Sequence, residues 1–149
     1  MSTDPRHFLR ATLYDLLLTN FPVEYDGVWD NDTQVQFENS KFNPPVESPF
    51  LAAYIIYSSG TRASIGTIKK FQRHEGFFCI ECHVTEDTGM GTLWKISGAV
   101  ERSLQEQQLA LEDGSYVTLH VAKAVNNSAQ DNRYFVTVMV PFCLDACMS

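Results

Sequence analysis

The sequence predicts an α+β domain with a mostly antiparallel sheet. Apolar residues recur at helical spacing in two separate segments, and alternating apolar and polar residues fill much of the remainder. The resulting order of helix, strands, helix, strands is not the strict alternation of a parallel α/β fold. The chain has 149 residues, of which 44% are hydrophobic and 19% charged. That is one domain of ordinary size, about 100–150 residues, and too apolar to remain disordered. No repeat or linker divides it, so residues 1–149 read as a single domain.

Residues 4–20 carry Leu9, Leu13, Leu16 and Leu17 at helical spacing, with Phe8 alongside. Ser2 or Thr3 suits the cap, Asp4 the positive end of the dipole, and Pro5 the first turn. Pro22 is expected to end this helix, because a proline inside a helix removes a backbone donor. Residues 22–49 hold Pro22, Pro44, Pro45 and Pro49 and an acidic run with Asp26, Asp30 and Asp32. Only residues 34–38 read as a strand there, with Val35 and Phe37 alternating. Trp29 reads equally as a ring folded back on the core or as an interface anchor. A Pro-rich stretch of this length, about 38–49, is expected to be a functional arm.

Residues 50–58 read as a strand, with Ser59-Gly60 opening a turn. Residues 63–73 form a second extended segment interrupted at Gly66, His74-Glu75-Gly76 a turn, and 77–84 a third strand. Sequential strands of this kind favour a meander. Thr88-Gly89-Met90-Gly91-Thr92 then leads into a helix with Leu93, Ile96, Ala99, Val100 and Leu104 on one stripe. The last third reads as a hairpin. Residues 116–125 place Val117, Leu119 and Val121 on one face. Residues 133–142 place Tyr134, Val136, Val138, Val140 and Phe142 on one face.

Charge and cysteines narrow the function. Eleven basic against eighteen acidic residues leave a net charge of −7, which opposes general nucleic-acid binding. The first residues lack a basic segment followed by a long apolar run, so a cytosolic setting with reduced thiols is expected. The run Phe50 to Tyr57 is far short of the ~20 apolar residues that span a bilayer, and no membrane partner is expected. Cys79-Ile80-Glu81-Cys82-His83 matches the pattern for covalent haem attachment. On a strand, however, Cys79 and Cys82 point to opposite faces and cannot share a haem or a metal. Cys82 reads as a buried small hydrophobe and Cys79 as half-exposed. Cys143 and Cys147 read as a frayed tail or one helical turn, with no third and fourth ligand near for zinc.

The search for a reacting constellation is empty. No G-x-S-x-G elbow is present, and the glycine-rich turn at 88–92 fits neither a P-loop nor a dinucleotide fingerprint. The acidic run lacks the closing Glu of a calcium loop. His7 reads as lying on an exposed helix face, His74 in a turn, and His83 and His120 within strands. His83 lies two residues from Glu81 on one strand face, where acid–base work is conceivable but a solvated or interface face is the simpler reading. No catalytic, cofactor-binding or metal-binding residue is assigned.

Gln34-Val35-Gln36-Phe37-Glu38-Asn39-Ser40-Lys41-Phe42-Asn43-Pro44-Pro45, followed by Pro49-Phe50-Leu51, resembles the tail terminator (tail completion) proteins of long-tailed bacteriophages. Gly66 and Arg73-His74-Glu75-Gly76-Phe77 resemble that family's strand break and aromatic-led strand. Thr88-Gly89-Met90-Gly91 resembles the turn before its second helix, and 134–142, ending Val140-Pro141-Phe142, its closing strand. The shared order spans nearly the whole chain. The acidic segment 26–32 and the cysteine-bearing tail depart from the family pattern. The resemblance implies a curved sheet flanked by two helices, like a tail-tube subunit, and a structural protein without catalytic residues. It implies a homohexameric ring in the virion, on the head-proximal end of the tail tube. That ring stops tube polymerisation and meets the head–tail connector, with DNA passing through the lumen without specific binding. Phe42, Pro44, Pro45 and Phe50 are the expected subunit-interface residues, an aromatic anchor with rigid prolines. The alternatives are another head–tail joining protein, or a small-ligand or metal-binding domain with hydrolytic chemistry on Glu81, His83 and the cysteines.

Overall fold

The computed structural model describes residues 5–25, 29–38, 48–62, 70–85, 89–112, 114–126 and 133–148. The expected caps at residues 2–4, the break at Gly66 and most of the 38–49 arm lie outside them. The elements in order are α1 (Pro5–Glu24), α2 (Asn31–Gln34), β1 (Val35–Phe37), β2 (Phe50–Arg62), β3 (Lys70–Thr85), α3 (Met90–Leu104), β4 (Gln107–Ala110), β5 (Tyr116–Leu119), β6 (Lys123–Asn126) and β7 (Arg133–Met148). The strands form one curled sheet in the order β1-β2-β3-β7-β5-β4, with β6 also pairing β7. Every pair is antiparallel except β1 with β2. This is the expected α+β architecture, a curved sheet flanked by α1 and α3.

The core lies between the sheet and these two helices. Leu9, Leu13, Leu17 and Phe21 of α1 are buried at intervals of one turn, and Leu93, Ile96, Ala99, Val100 and Leu104 of α3 face them. Phe78, Ile80, Cys82 and Val84 of β3 and Val136, Val138, Val140 and Phe142 of β7 supply the sheet side, as their alternation predicts. Tyr134, expected on the same stripe, remains exposed at the strand end.

Pro22 does not end α1; it lies inside it. A proline there costs about 3 kcal/mol, but Leu17 and Phe21 each contribute roughly 1.5–3 kcal/mol by burial, and that outweighs it. The carbonyl of Leu18, which Pro22 leaves without its helical donor, accepts instead from Asn31 Nδ2 at 3.0 Å. Trp29 folds back on the core. Its ring meets Phe21 and Tyr25 edge-on, and its Nε1 donates to Asn31 Oδ1 at 3.0 Å.

Three strands, β2, β3 and β7, run longer than expected. Ser59-Gly60 continues β2 and His74-Glu75-Gly76 continues β3, so residues 70–73 and 77–84 belong to one strand. A one-residue bulge accounts for both misreadings. Tyr57 pairs Gly76 and Ser59 pairs Glu75, which leaves Ser58 as the extra residue. The bulge presses the β2 backbone toward Gly76, and a Cβ there would overlap the Ile56 carbonyl oxygen and sit 2.9 Å from Phe142 Cζ. Gly76 therefore marks a close backbone approach and not a turn.

A second bulge splits the expected strand 116–125. Leu119 pairs Phe142 but Lys123 pairs Met139, so three residues face two. The extra residue reverses the side-chain alternation. Val121, expected inside with Val117 and Leu119, is 59% exposed, and His120 lies between strands instead of within one. The edge strand β4 was not expected. The tail is neither frayed nor helical, since β7 runs to Met148 and Cys147 pairs Phe71.

Candidate functional site

The face of β2, β3 and β7 opposite the helices gathers most of the reactive side chains. Register places Phe50, His83 and Phe135 side by side on three adjacent strands. The imidazole is stacked between the two rings, 4.5 Å from Phe50 at 2° and 4.7 Å from Phe135 at 17°. His83 Nε2 lies 2.9 Å from Glu81 Oε1. Phe50, expected at a subunit interface, is thus covered within the subunit, with only 5% exposure. Phe42, Pro44 and Pro45 lie outside the described residues.

Four residues before His83 on β3, Cys79 pairs Tyr54 of β2. Cys79 is fully buried, not half-exposed. Desolvation pushes its thiol up to about 11, with the Tyr54 hydroxyl lowering it and the Glu81 charge raising it. The Tyr54 hydroxyl is pushed up to about 12, first by burial and then by Cys79 and Glu81. Cys82 lies on the helix side, and burial raises its thiol as well. The two cysteines therefore do not converge, as the strand geometry requires. Among the described residues no group of three or more His, Cys, Asp or Glu could hold a metal ion. Gly89 caps α3 at φ 86 without a side-chain cap, and Gly91 is exposed. At the far end of the face, Arg73 Nε meets the buried Asp145 at 2.8 Å, as their direct pairing between β3 and β7 dictates.

The second concentration of charge flanks α1. A notch of about 300 Å³ is lined by Arg6, His7, Arg10, Glu38, Ile55 and Tyr57. The Arg6 guanidinium sits 5.7 Å over the Tyr57 ring and that of Arg10 5.5 Å over Tyr14. Arg10 Nη2 donates to the Glu38 carbonyl at 2.9 Å. The Glu38 carboxylate accepts from Tyr14 Oη at 3.0 Å and from the Ile55 N–H at 2.9 Å. Burial and that carboxylate push the Tyr14 hydroxyl up to about 12. The only trace of this notch in the sequence is the spacing of Arg6 and Arg10, one helical turn apart. Toward the other end of α1, the acidic run becomes the single turn α2. Asp30 caps it, accepting from the Asp32 N–H at 3.0 Å and from Thr33 Oγ1 at 3.1 Å. Gln34 locks the turn to the sheet by donating to the Pro49 carbonyl at 2.8 Å. Asp30 and Asp32 are exposed; Asp26 lies outside the described residues.

No protein-family model matches the chain, and no curated protein matches it. Seven solved chains do. One is a solved protein without a functional name, 15% identical, with a TM-score of 0.67 over 97% of this chain and 98% of that one. Another belongs to the virion of a native gene transfer agent particle, 15% identical, with a TM-score of 0.63 over 97% of this chain and 100% of that one. At this identity the likeness is one of fold, and it spans each chain almost end to end.

Proposed function

We propose that this chain is a structural subunit of a phage-like virion. In this reading it closes into a homohexameric ring on the head-proximal end of a tail tube, ends tube polymerisation and offers its outer surface to the head–tail connector. The observation that carries the reading is the end-to-end likeness in fold to a chain of a gene transfer agent virion. The order of motifs resembling tail terminators points the same way. The His83 imidazole, stacked between two phenylalanine rings and hydrogen-bonded to Glu81, then serves to hold three strands together and does no acid–base work. The half-exposed apolar residues farther along the same face, such as Ile56 opposite Phe77 at 44% exposure, belong to surfaces that assembly covers.

Negative-stain microscopy with light scattering on the purified protein tests the reading. Six-fold rings, free or on added tail-tube protein, are the expected result. A monomer at every concentration, with no ring on the tube, would overturn it, and a stoichiometric metal found by elemental analysis would favour the ligand-binding alternative.

A further inference from the structure

We propose that the notch of Arg6, Arg10 and Tyr57 receives the acidic corner of a second copy, Asp30 and Asp32 at α2. This rests on the ring reading and names the contact that would join neighbouring subunits. Charge complementarity is the first argument. The chain is acidic overall, yet two guanidinium groups and His7 line one small cavity. Among the described residues that line it, Glu38 is the one carboxylate, and it accepts from Tyr14 Oη and the Ile55 N–H.

Rigidity is the second argument. Arg10 is fixed by the Glu38 carbonyl, and Arg6 lies over Tyr57. On the other surface Asp30 is held by its capping bonds, and Asn31 is tied to the Leu18 carbonyl. The Arg10 guanidinium, the Asp30 carboxylate and the backbone of α2 therefore have little freedom left to lose on contact, which lowers the ordering cost of association. Arg and Tyr around a concavity are also the residue types that concentrate binding energy.

Placement is the third argument. Arg6 contacts the sheet at Tyr57 and Leu18 contacts α2, so the two patches are separated by about twelve residues of α1, or roughly 18 Å at 1.5 Å per residue. A contact between two different patches is heterologous, and repetition of it closes a ring when the rotation allows.

The test uses charge reversal at the two exposed positions that hold no cap, Arg6→Glu and Asp32→Lys. Ring formation is followed by sedimentation velocity and microscopy, with thermal unfolding as the control for folding. Each single reversal is expected to raise the concentration needed for half-assembly at least about fivefold, since one exposed pair contributes up to about 1 kcal/mol and reversal adds repulsion. An equimolar mixture of the two variants, or both changes in one chain, is expected to restore rings to within about twofold of wild type. Should either reversal unfold the chain, the neutral Arg6→Gln and Asp32→Asn variants carry the same test with a smaller shift. Wild-type rings that ignore both reversals overturn this contact and leave the ring reading standing. So do rings that persist while binding to tail-tube protein is lost, because the notch then serves another partner. A two-fold dimer held by the same residues also overturns it. Absence of wild-type rings under every condition overturns the ring reading itself and this contact with it.

Discussion

Gly76 sits in the middle of a sixteen-residue strand, where glycine ordinarily weakens pairing. The bulge at Ser58 explains it, because the Ile56 carbonyl occupies the space a Cβ would take. Gly76→Ala must therefore move backbone or the Phe142 ring, and it is expected to cost at least about 2 kcal/mol in urea unfolding. A cost below 0.5 kcal/mol would mean that the bulge does not press on this position. Burial of titratable groups has a second consequence at this scale. The thiol of Cys79 lies near 11 against an ordinary 9.0, and the hydroxyls of Tyr14 and Tyr54 near 12 against 10.0. Each group holds its proton more tightly in the folded chain than in the unfolded one. Below about pH 8 both states are protonated and the groups have no pH effect. From about pH 8 upward the unfolded chain releases protons first, so stability falls as pH rises toward 12. Urea midpoints at pH 8, 9.5 and 10.5 should decline in that order, and Cys79→Ala should flatten the first part of the decline. Equal midpoints at all three values would contradict the burial of these groups.

At the scale of elements, α1 depends on a contact from outside itself. Pro22 leaves the Leu18 carbonyl unserved, and Asn31 from the following turn serves it while also holding Trp29. Asn31→Ala is expected to cost about 1–2 kcal/mol by leaving a half-buried acceptor without its donor. Pro22→Ala returns the helical N–H, so in that background Asn31→Ala should cost measurably less. A strictly additive double-mutant cycle would show that the two residues do not share this carbonyl. The same pair shows what the sequence reveals and what it withholds. The helical stripe of leucines, the stripe of α3 and the alternation of β3 and β7 were legible because each is a periodicity within one element. The continuation of α1 past Pro22 was not, because its compensation comes from a residue nine positions downstream. The two bulges were equally hidden. A single extra residue leaves both flanking alternations intact and shows itself only in the pairing. Of the candidate site, the His83–Glu81 pairing was legible from spacing. The Phe50–His83–Phe135 stack was not, because it depends on the register of three strands.

At the scale of the whole molecule, both long helices cover one face of the sheet, and the opposite face keeps its half-exposed apolar residues. Charge is unevenly placed on this frame, with a basic notch beside the start of α1 and acids at α2. Six copies at −7 each would bring −42 to one ring, a charge far from neutral even with the basic notches closed by neighbouring acids. A duplex threading such a ring would meet an assembly whose net charge has its own sign. Neutralising phosphates and releasing their counterions is what gives proteins their general affinity for DNA, and this ring has no excess of cations with which to do it. The field instead favours passage without adhesion. Assembled protein mixed with linear duplex at about 50 mM salt, where electrostatic binding is at its strongest, is therefore expected to leave the mobility of the DNA unchanged up to tens of micromolar. Raising the salt should make no difference, because there is no phosphate contact to weaken. Submicromolar binding that falls steeply with salt would instead place a continuous basic surface along the bore, and the acidic balance of the chain would then have to lie on the outside of the ring.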